Sequence, residues 1–388
     1  MIRLFINGQA ASAGGGLTYL RNVLPQLARR GDAETTVLLN PALRREFSEL
    51  RNISFAETSE SGGALRRFWY EQTTLPHLIR IRGAQVLISA GNFALWKSPV
   101  PQILLSRNSL YTSGDFAHDV RARGDYAIYM DTLIKAWLAR QSIGWADITV
   151  APSEAFAREL TSWSGRRVVA IHHGFDADAF TGDPTPLPAE AQAQLEDGKD
   201  ALRLLFVSHY NYYRNFETLL RAMPLLNRRL KTRKVRLYLT CRLNSRDNPG
   251  SYKAQAAASL LSDVRGSCDI VEMGSIPYRS LHHLYRACHI YVTPAYAESF
   301  AHPLVEAMSS GLPVVASDLA VHQEICGRAA VYFPPFSAED LANAVVRLDA
   351  DHGLAAELSQ AGLKRAKDFS WEKHVACLLA LAAGLTRQ

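Results

Sequence analysis

Residues 290–317 constrain the fold of this 388-residue chain more than any other stretch. Ile290-Tyr291-Val292-Thr293 is an apolar run with a β-branched core that reads as a buried strand, and Pro294 then turns the chain. The loop Ala297-Glu298-Ser299-Phe300-Ala301 leads into His302-Pro303-Leu304-Val305-Glu306-Ala307-Met308. Pro303 falls in the first helical turn, where a missing N–H costs nothing. Gly311 ends the helix, and Pro313-Val314-Val315-Ala316 is the next strand. Strand, loop, helix and strand in this order make a βαβ unit. Glu298 on the loop and Glu306 one to two turns into the helix can both face the mouth of the turn. The N–H groups at the helix start point there too, which suits an anion. Taken by itself the spacing is more often that of two solvated glutamates on an ordinary βαβ unit.

The same alternation recurs along the chain. Ile2 to Asn7, Thr35 to Leu39, Ile53 to Ala56, Val86 to Ser89, Gln102 to Leu105, Ile148 to Ala151 and Val168 to Ile171 read as strands. Helices are expected at 17–30, 41–50, 64–82, 131–140 and from Ser153. A second series runs through Leu202 to Val207, Val235 to Thr240, Ile270 to Met273, 290–293, 313–316 and Ala330 to Phe333. Repeated β and α at this spacing predict doubly wound parallel sheets. Between the series, Asp183-Pro184-Thr185-Pro186-Leu187-Pro188 and the Ala, Gln and Glu after it have linker composition. The expected domains are therefore 1–182 and 201–370, joined by a linker at 183–200, with a last helix at 371–388. Two such halves imply a cleft to which each contributes its strand ends.

The loop after the first strand is rich in small residues, Gly8, Ala10, Ala11, Ser12, Ala13, Gly14, Gly15 and Gly16, and would bring backbone close to a ligand. It fails as a dinucleotide fingerprint because Tyr19 holds the third glycine position. A nicotinamide-dependent dehydrogenase is thereby disfavoured. The balance of 43 basic and 37 acidic residues, a net charge of +6 spread evenly over the two halves, leaves no nucleic-acid-binding tail. Cys241, Cys268, Cys288, Cys326 and Cys377 have no C-x-x-C spacing and read as free thiols of a reducing compartment. No apolar run reaches the ~20 residues needed to span a bilayer, and Met1 enters a strand pattern directly. A cytoplasmic protein is expected.

Glu298 and Glu306, in Glu-Ser-Phe-Ala-His-Pro-Leu-Val-Glu-Ala-Met with Gly-Leu-Pro-Val-Val-Ala behind it, closely resemble the E-x7-E signature of the family-4 glycosyltransferases, which have the GT-B fold. Other segments match in order: Gly14 to Gly16, Ala151-Pro152-Ser153, His173-Gly174-Phe175-Asp176-Ala177-Asp178-Ala179-Phe180, and Phe369-Ser370-Trp371-Glu372 at the start of a C-terminal helix that in that family crosses back to the N-terminal domain. The resemblance implies two Rossmann-like domains and a metal-independent, retaining transfer of a hexose-type sugar from a nucleotide diphosphate-sugar to a glycan, lipid-linked or small-molecule acceptor, as in polysaccharide biosynthesis. No cofactor and no metal are implied. Glu306 would hold the ribose and Glu298 the donor sugar. The backbone of Ser299, Phe300 and Ala301, with Gly15 and Gly16 opposite, would approach the nucleotide-sugar, and Ile276 in Gly274-Ser275-Ile276-Pro277-Tyr278 would pack on the base.

The chain departs from the family pattern in three places. The family's arginine and lysine after the first strand of the second domain correspond to His209 and Arg214, so Arg214 would supply the fixed charge and His209 a phosphate hydrogen bond. The usual His-Asp after 102–105 is replaced by Ser106-Arg107-Asn108-Ser109, where Asn108 or Arg107 would face the sugar; His118, His172 and His173 are alternatives. Ala301 stands for the commoner glycine. A nucleotide-sugar-binding protein with little turnover and a GT-B sugar-nucleotide epimerase remain as other readings.

The basic run Arg228, Arg229, Lys231, Arg233, Lys234 and Arg236, and the basic-aromatic clusters Arg66-Arg67-Phe68-Trp69-Tyr70 and Leu95-Trp96-Lys97, carry one further expectation, contact with the inner face of a membrane.

Overall fold

A computed structural model describes residues 1–388 except 12–13, 51, 57–62, 232, 245, 249–251 and 388. Ser12 and Ala13 of the glycine-rich loop thus lie outside the described residues. The chain forms two compact units. The first comprises Met1–Thr112, Met130–Gly174 and Ser370–Gln388, and the second Ser113–Tyr129 and Phe175–Phe369.

In the first unit seven strands, β1 (Ile2–Asn7), β2 (Ala33–Leu38), β3 (Ile53–Ala56), β4 (Val86–Ser89), β5 (Gln102–Leu105), β6 (Ile148–Ala151) and β7 (Val168–Ala170), form one sheet of order β3-β2-β1-β4-β5-β6-β7. All neighbouring pairs are parallel. In the second unit β8 (Leu202–Phe206), β9 (Val235–Leu239), β10 (Asp269–Glu272), β11 (Ile290–Thr293), β12 (Val314–Ser317) and β13 (Ala330–Phe333) take the order β10-β9-β8-β11-β12-β13, again parallel throughout. Helices cover both faces, so β4, β5, β11 and β12 are buried at every position, which is why they read as unbroken apolar runs. Each sheet reverses its strand order once, between β1 and β4 and between β8 and β11. At such a switch point the loops leaving the carboxyl ends diverge and leave a crevice.

Gly14, Gly15 and Gly16 form the first turn of a helix, Gly14–Ala28, rather than a loop before it. The expected 64–82 helix is broken into Ala64–Thr73 and Leu75–Ile81, because Pro76 lacks the N–H that continuation requires. The stretch read as linker carries a helix, Ala189–Asp197, with Ala191 and Leu195 buried. It is held within the second unit by Arg236 and Tyr238, both donating to the Gln194 carbonyl. The last helix, Trp371–Leu385, returns to the first unit. Trp371, Val375, Leu378, Leu379 and Ala382 share its core with Leu17, Leu20 and Leu24. There the Tyr19 hydroxyl lies 2.9 Å from His374 Nε2, while His374 Nδ1 donates to the His172 carbonyl at 2.8 Å. Burial lowers the His374 pKa to about 4, so the ring is neutral, as a donor and acceptor in one chain of hydrogen bonds must be.

Three members of the basic run, Arg229, Arg233 and Arg236, make ion pairs, while Arg228, Lys231 and Lys234 are exposed. Arg229 pairs with Glu339, Arg233 with Asp349 at 3.2 Å, and Arg236 with Asp197 and Asp269 at 2.6 Å each. Of the five cysteines four are buried and Cys377 is exposed; all are free. Among the described residues no helix is long and apolar enough to cross a membrane.

Candidate functional site at the second switch point

The carboxyl ends of β8 and β11 each emit a loop, and two backbone-level contacts lock these loops together. Asn215 Nδ2 donates to the Pro294 carbonyl at 3.0 Å, and Tyr296 N–H donates to the Tyr213 carbonyl at 3.0 Å. Asn215 makes its contact from the left-handed region (φ 56°), which asparagine tolerates better than most residues. Arg214 and Glu298 are thereby set against one another and form an ion pair, both side chains largely buried. Arg214 also lies over the Tyr213 ring, 4.8 Å from its centroid. Its Nε is buried with no acceptor, so the guanidinium fork is only half used.

Residues 113–129, expected in the first domain, brace these loops inside the second unit. Arg123 bonds Asp119 and Glu217, each at 2.9 Å, and stacks on Tyr212 at 4.2 Å. Tyr296 donates to Asp119 at 2.7 Å, and Asp125 accepts from Tyr212 and Lys253. The only sequence signal for this helix, Gly114–Ala122, is Ser113 at its N-cap with the Asp119–Arg123 pair four residues apart.

Glu306 lies inside the helix His302–Ser309 and is buried. Tyr285 donates to its Oε2 at 2.8 Å, a partner 21 residues away that no local pattern indicates. Burial, offset in part by the Tyr285 hydrogen bond, raises the carboxyl pKa to about 7. Phe300 is buried, packed edge-on against Phe369 at 5.4 Å. Ala301 is the N-cap residue with φ 65° and ψ 65°, a left-handed conformation that costs a Cβ-bearing residue roughly 1 kcal/mol. Among the described residues its N–H meets no acceptor. Ala301→Gly is accordingly expected to be neutral or to raise the unfolding midpoint, although alanine-to-glycine exchange inside a helix costs about 1 kcal/mol. Thermal unfolding of the two proteins decides it; a drop of several degrees would show that no strain is stored there.

His209 and Ile276 line one pocket of about 470 Å³ in the second unit, together with Thr240, Arg242, Asn248 and Gly274. That volume lies in the range of small-ligand sites. The His209 surface is open to solvent. The protein mass around its ring, and then the Arg214 charge, push its pKa below the ordinary histidine value, which favours the neutral imidazole.

Gly15, Gly16 and Asn108 belong to the first unit. A Cβ on Gly16 would meet Ala11 Cα at 3.2 Å, whereas one on Gly15 would point into open space. The Asn108 carbonyl oxygen is taken up as the cap of the turn Ser109–Tyr111, accepting from Leu110 N–H at 3.1 Å. Arg107 stacks on Tyr19 at 4.6 Å and donates to the Ala90 carbonyl, and His173 is buried against Tyr19, Trp371 and His374. These side chains hold the first unit together. Among the described residues no group of three or more His, Cys, Asp or Glu is placed to hold a metal ion.

The arrangement offers a half-used guanidinium, an unpaired backbone N–H at a helix start, a protonatable buried carboxyl and a pocket of small-ligand size in one unit. The family described as glycosyl transferases group 1 aligns with residues 201–351. A D-inositol 3-phosphate glycosyltransferase of Thermobifida fusca is 29% identical over 247 residues, 61% of this chain and 55% of that one. The O-antigen chain mannosyltransferase B of Escherichia coli is 33% identical over 100 residues, 26% of each. The chain thus spans about half the length of D-inositol 3-phosphate glycosyltransferases it matches. Among solved structures, a sucrose-phosphate synthase from Thermosynechococcus elongatus superposes with a TM-score of 0.74 at 19% identity over 99% of both chains. Anabaena HepE in complex with UDP-glucose gives 0.74 at 15%, over 99% of this chain and 100% of that one.

Proposed function

We propose, from the match of residues 201–351 to the group 1 glycosyltransferases and from the GT-B architecture of the fold, that the chain is a glycosyltransferase that transfers a hexose-type sugar from a nucleotide diphosphate-sugar to an acceptor hydroxyl, with retention and without a metal. The observation that carries this is Arg214, a largely buried cation held over the switch point by Glu298 with one edge of its fork unused. Departure of a nucleoside diphosphate builds negative charge on the β-phosphate. Donors fixed in advance toward that charge lower the barrier, since nothing need reorganise as it forms. Arg214 and the Ala301 N–H are such donors. On this reading the arriving sugar draws Glu298 to its hydroxyls and the diphosphate takes the guanidinium. The bond from the anomeric carbon to the phosphate oxygen breaks, the acceptor oxygen bonds on the same face, and its proton passes to the leaving phosphate. His209 gives a neutral hydrogen bond in place of a second cation, and Ile276 packs on the base.

Glu306 makes the reading pH-sensitive. If its carboxylate accepts the ribose hydroxyls, nucleoside diphosphate affinity rises as pH increases through about 7, where the group ionises. Glu306→Gln should weaken binding above pH 7 and flatten that rise. The effect on folding has the opposite sign. A carboxyl whose folded pKa is raised contributes most stability below the unfolded value, and loses it as pH climbs through about 7, so Glu306→Gln should gain relative stability above pH 7. Calorimetric titration and urea unfolding across pH 5.5 to 8.5, roughly the span of the raised pKa, separate the two.

A thermal-shift screen of nucleoside diphosphates and nucleotide-sugars tests the function, with UDP and UDP-glucose first in view of the HepE complex. Ligand at a hundred times its dissociation constant should add about 2.7 kcal/mol of stability. No shift with any of them would overturn the proposal. Donor conversion without acceptor would identify an epimerase instead, and binding without acceptor-dependent nucleotide release a binding protein.

A further inference from the structure

The helix Tyr126–Trp145 is apolar on nearly every side. Ala136, Ala139, Ser142 and Ile143 are buried on one face, while Met130, Leu133, Ile134 and Trp137 stand on another with exposures from 43% for Leu133 to 63% for Ile134. Their spacing of three, one and three residues puts them on a single stripe. A helix that is apolar all round is normally enclosed, and a contiguous apolar stripe left outside a domain marks a binding surface. At the end of this helix Trp145 meets Trp96 edge-on at 6.5 Å, Trp96 meets Trp69 at 6.1 Å, and Phe68 closes on both. Trp69 and Trp96 are themselves about half exposed.

The charges around this face are mostly basic. Within 64–73, 90–99 and 130–145 the bases are Arg66, Arg67, Lys97, Lys135 and Arg140, and the acids are Glu71 and Asp131. Glu71 is buried and Asp131 is paired with Lys135 at 2.7 Å. Arg66 stands one turn before Trp69, Lys97 follows Trp96, and Arg140 stands one turn beyond Trp137. A second copy of the same face would set these cations against each other. A bilayer with acidic headgroups takes them, and indole rings with an apolar body and a polar edge settle at its interface.

We propose that this face of the first unit, Met130, Leu133, Ile134 and Trp137 with the Trp69–Trp96 cluster, docks on an anionic lipid bilayer. The inference is independent of the transfer reaction. Cosedimentation with vesicles tests it, using phosphatidylcholine alone and with half replaced by phosphatidylglycerol, at low and high salt. The wild type should sediment with the anionic vesicles at low salt. The triple variant Met130→Ser/Ile134→Ser/Trp137→Ser should lose at least about tenfold in partition, since each removes an apolar group from the interface. Lys97→Glu/Arg140→Glu keeps the apolar stripe and should lose the preference for anionic vesicles, by about fivefold or more per base. These side chains are exposed, and unchanged thermal unfolding of the variants checks that the fold persists. Failure of the wild type to sediment, equal sedimentation of the triple variant, or a dimer in solution that the triple variant converts to monomer without any vesicle binding would each overturn the proposal.

Discussion

Arg214→Ala should lower kcat by two to three orders of magnitude, the loss seen when one donor to developing charge is removed from a preorganised site. Two effects combine. The variant has no fixed cation for the diphosphate, because His209 beside it is held below the ordinary histidine pKa and is neutral near pH 7. It also leaves Glu298 without its partner in a largely buried position, which costs free energy unless the carboxylate is hydrated or protonated. Arg214→Lys is the informative control. Lysine is the residue the family pattern places there; it keeps the charge but gives up the fork and the stacking on Tyr213, so its rate should fall between those of the wild type and Arg214→Ala. Single-turnover measurement with saturating donor separates loss of chemistry from loss of binding. Turnover that survives Arg214→Ala within a factor of about three, less than 1 kcal/mol by transition-state arithmetic, would remove Arg214 from the proposed mechanism.

Gly174→Ala should destabilise the protein by about 3 kcal/mol or more, at the upper end of overpacking effects. A Cβ there would lie 2.0 Å from the backbone nitrogen of Trp371 and 2.4 Å from the carbonyl carbon of Ser370. Both are backbone atoms at the start of the Trp371–Leu385 helix, with Ser370 capping it by accepting from Lys373 N–H. Nothing flexible can give way, so the helix start must move, and with it the Tyr19–His374 contact and the Trp371 side of the core. Urea unfolding and limited proteolysis of the C-terminal helix read the effect. Gly144→Ala is the matched control: a Cβ there meets nothing within 4 Å, and the exchange should be neutral or stabilising by up to about 1 kcal/mol. Equal behaviour of the two variants would refute the steric account.

Gly174 also shows why some motif residues defy a local reading. In the sequence it is one glycine in His-Gly-Phe-Asp; its reason is the passage of residues 370–371, nearly two hundred positions later, over its Cα. Strand identity needs no such partner. The apolar β-branched runs of β1, β4, β5, β11 and β12 were legible because both faces of a parallel sheet are buried, and Glu298 and Glu306 because their loop and helix start are set by the residues beside them. Helix limits were less legible. Pro76 splits a helix that its apolar spacing continues, and 183–200, polar and proline-rich, contains a packed helix because Arg236 and Tyr238 bind its backbone.

The sequence by itself determined the βαβ order, the E-x7-E stretch and its place after a strand, since each follows from propensity and periodicity within some twenty residues. Only the tertiary structure decided that Arg214 meets Glu298, that burial against Tyr285 keeps Glu306 poised to titrate near neutrality, that Arg123 braces both loops, and that Arg229, Arg233 and Arg236 of the basic run are spent on ion pairs. These contacts join residues tens to more than a hundred positions apart, so strand register and loop closure fix them rather than local pattern. The exposed face of Tyr126–Trp145 was hidden for a related reason: apolar on both sides, the helix gives no periodic signal of which side the fold will cover.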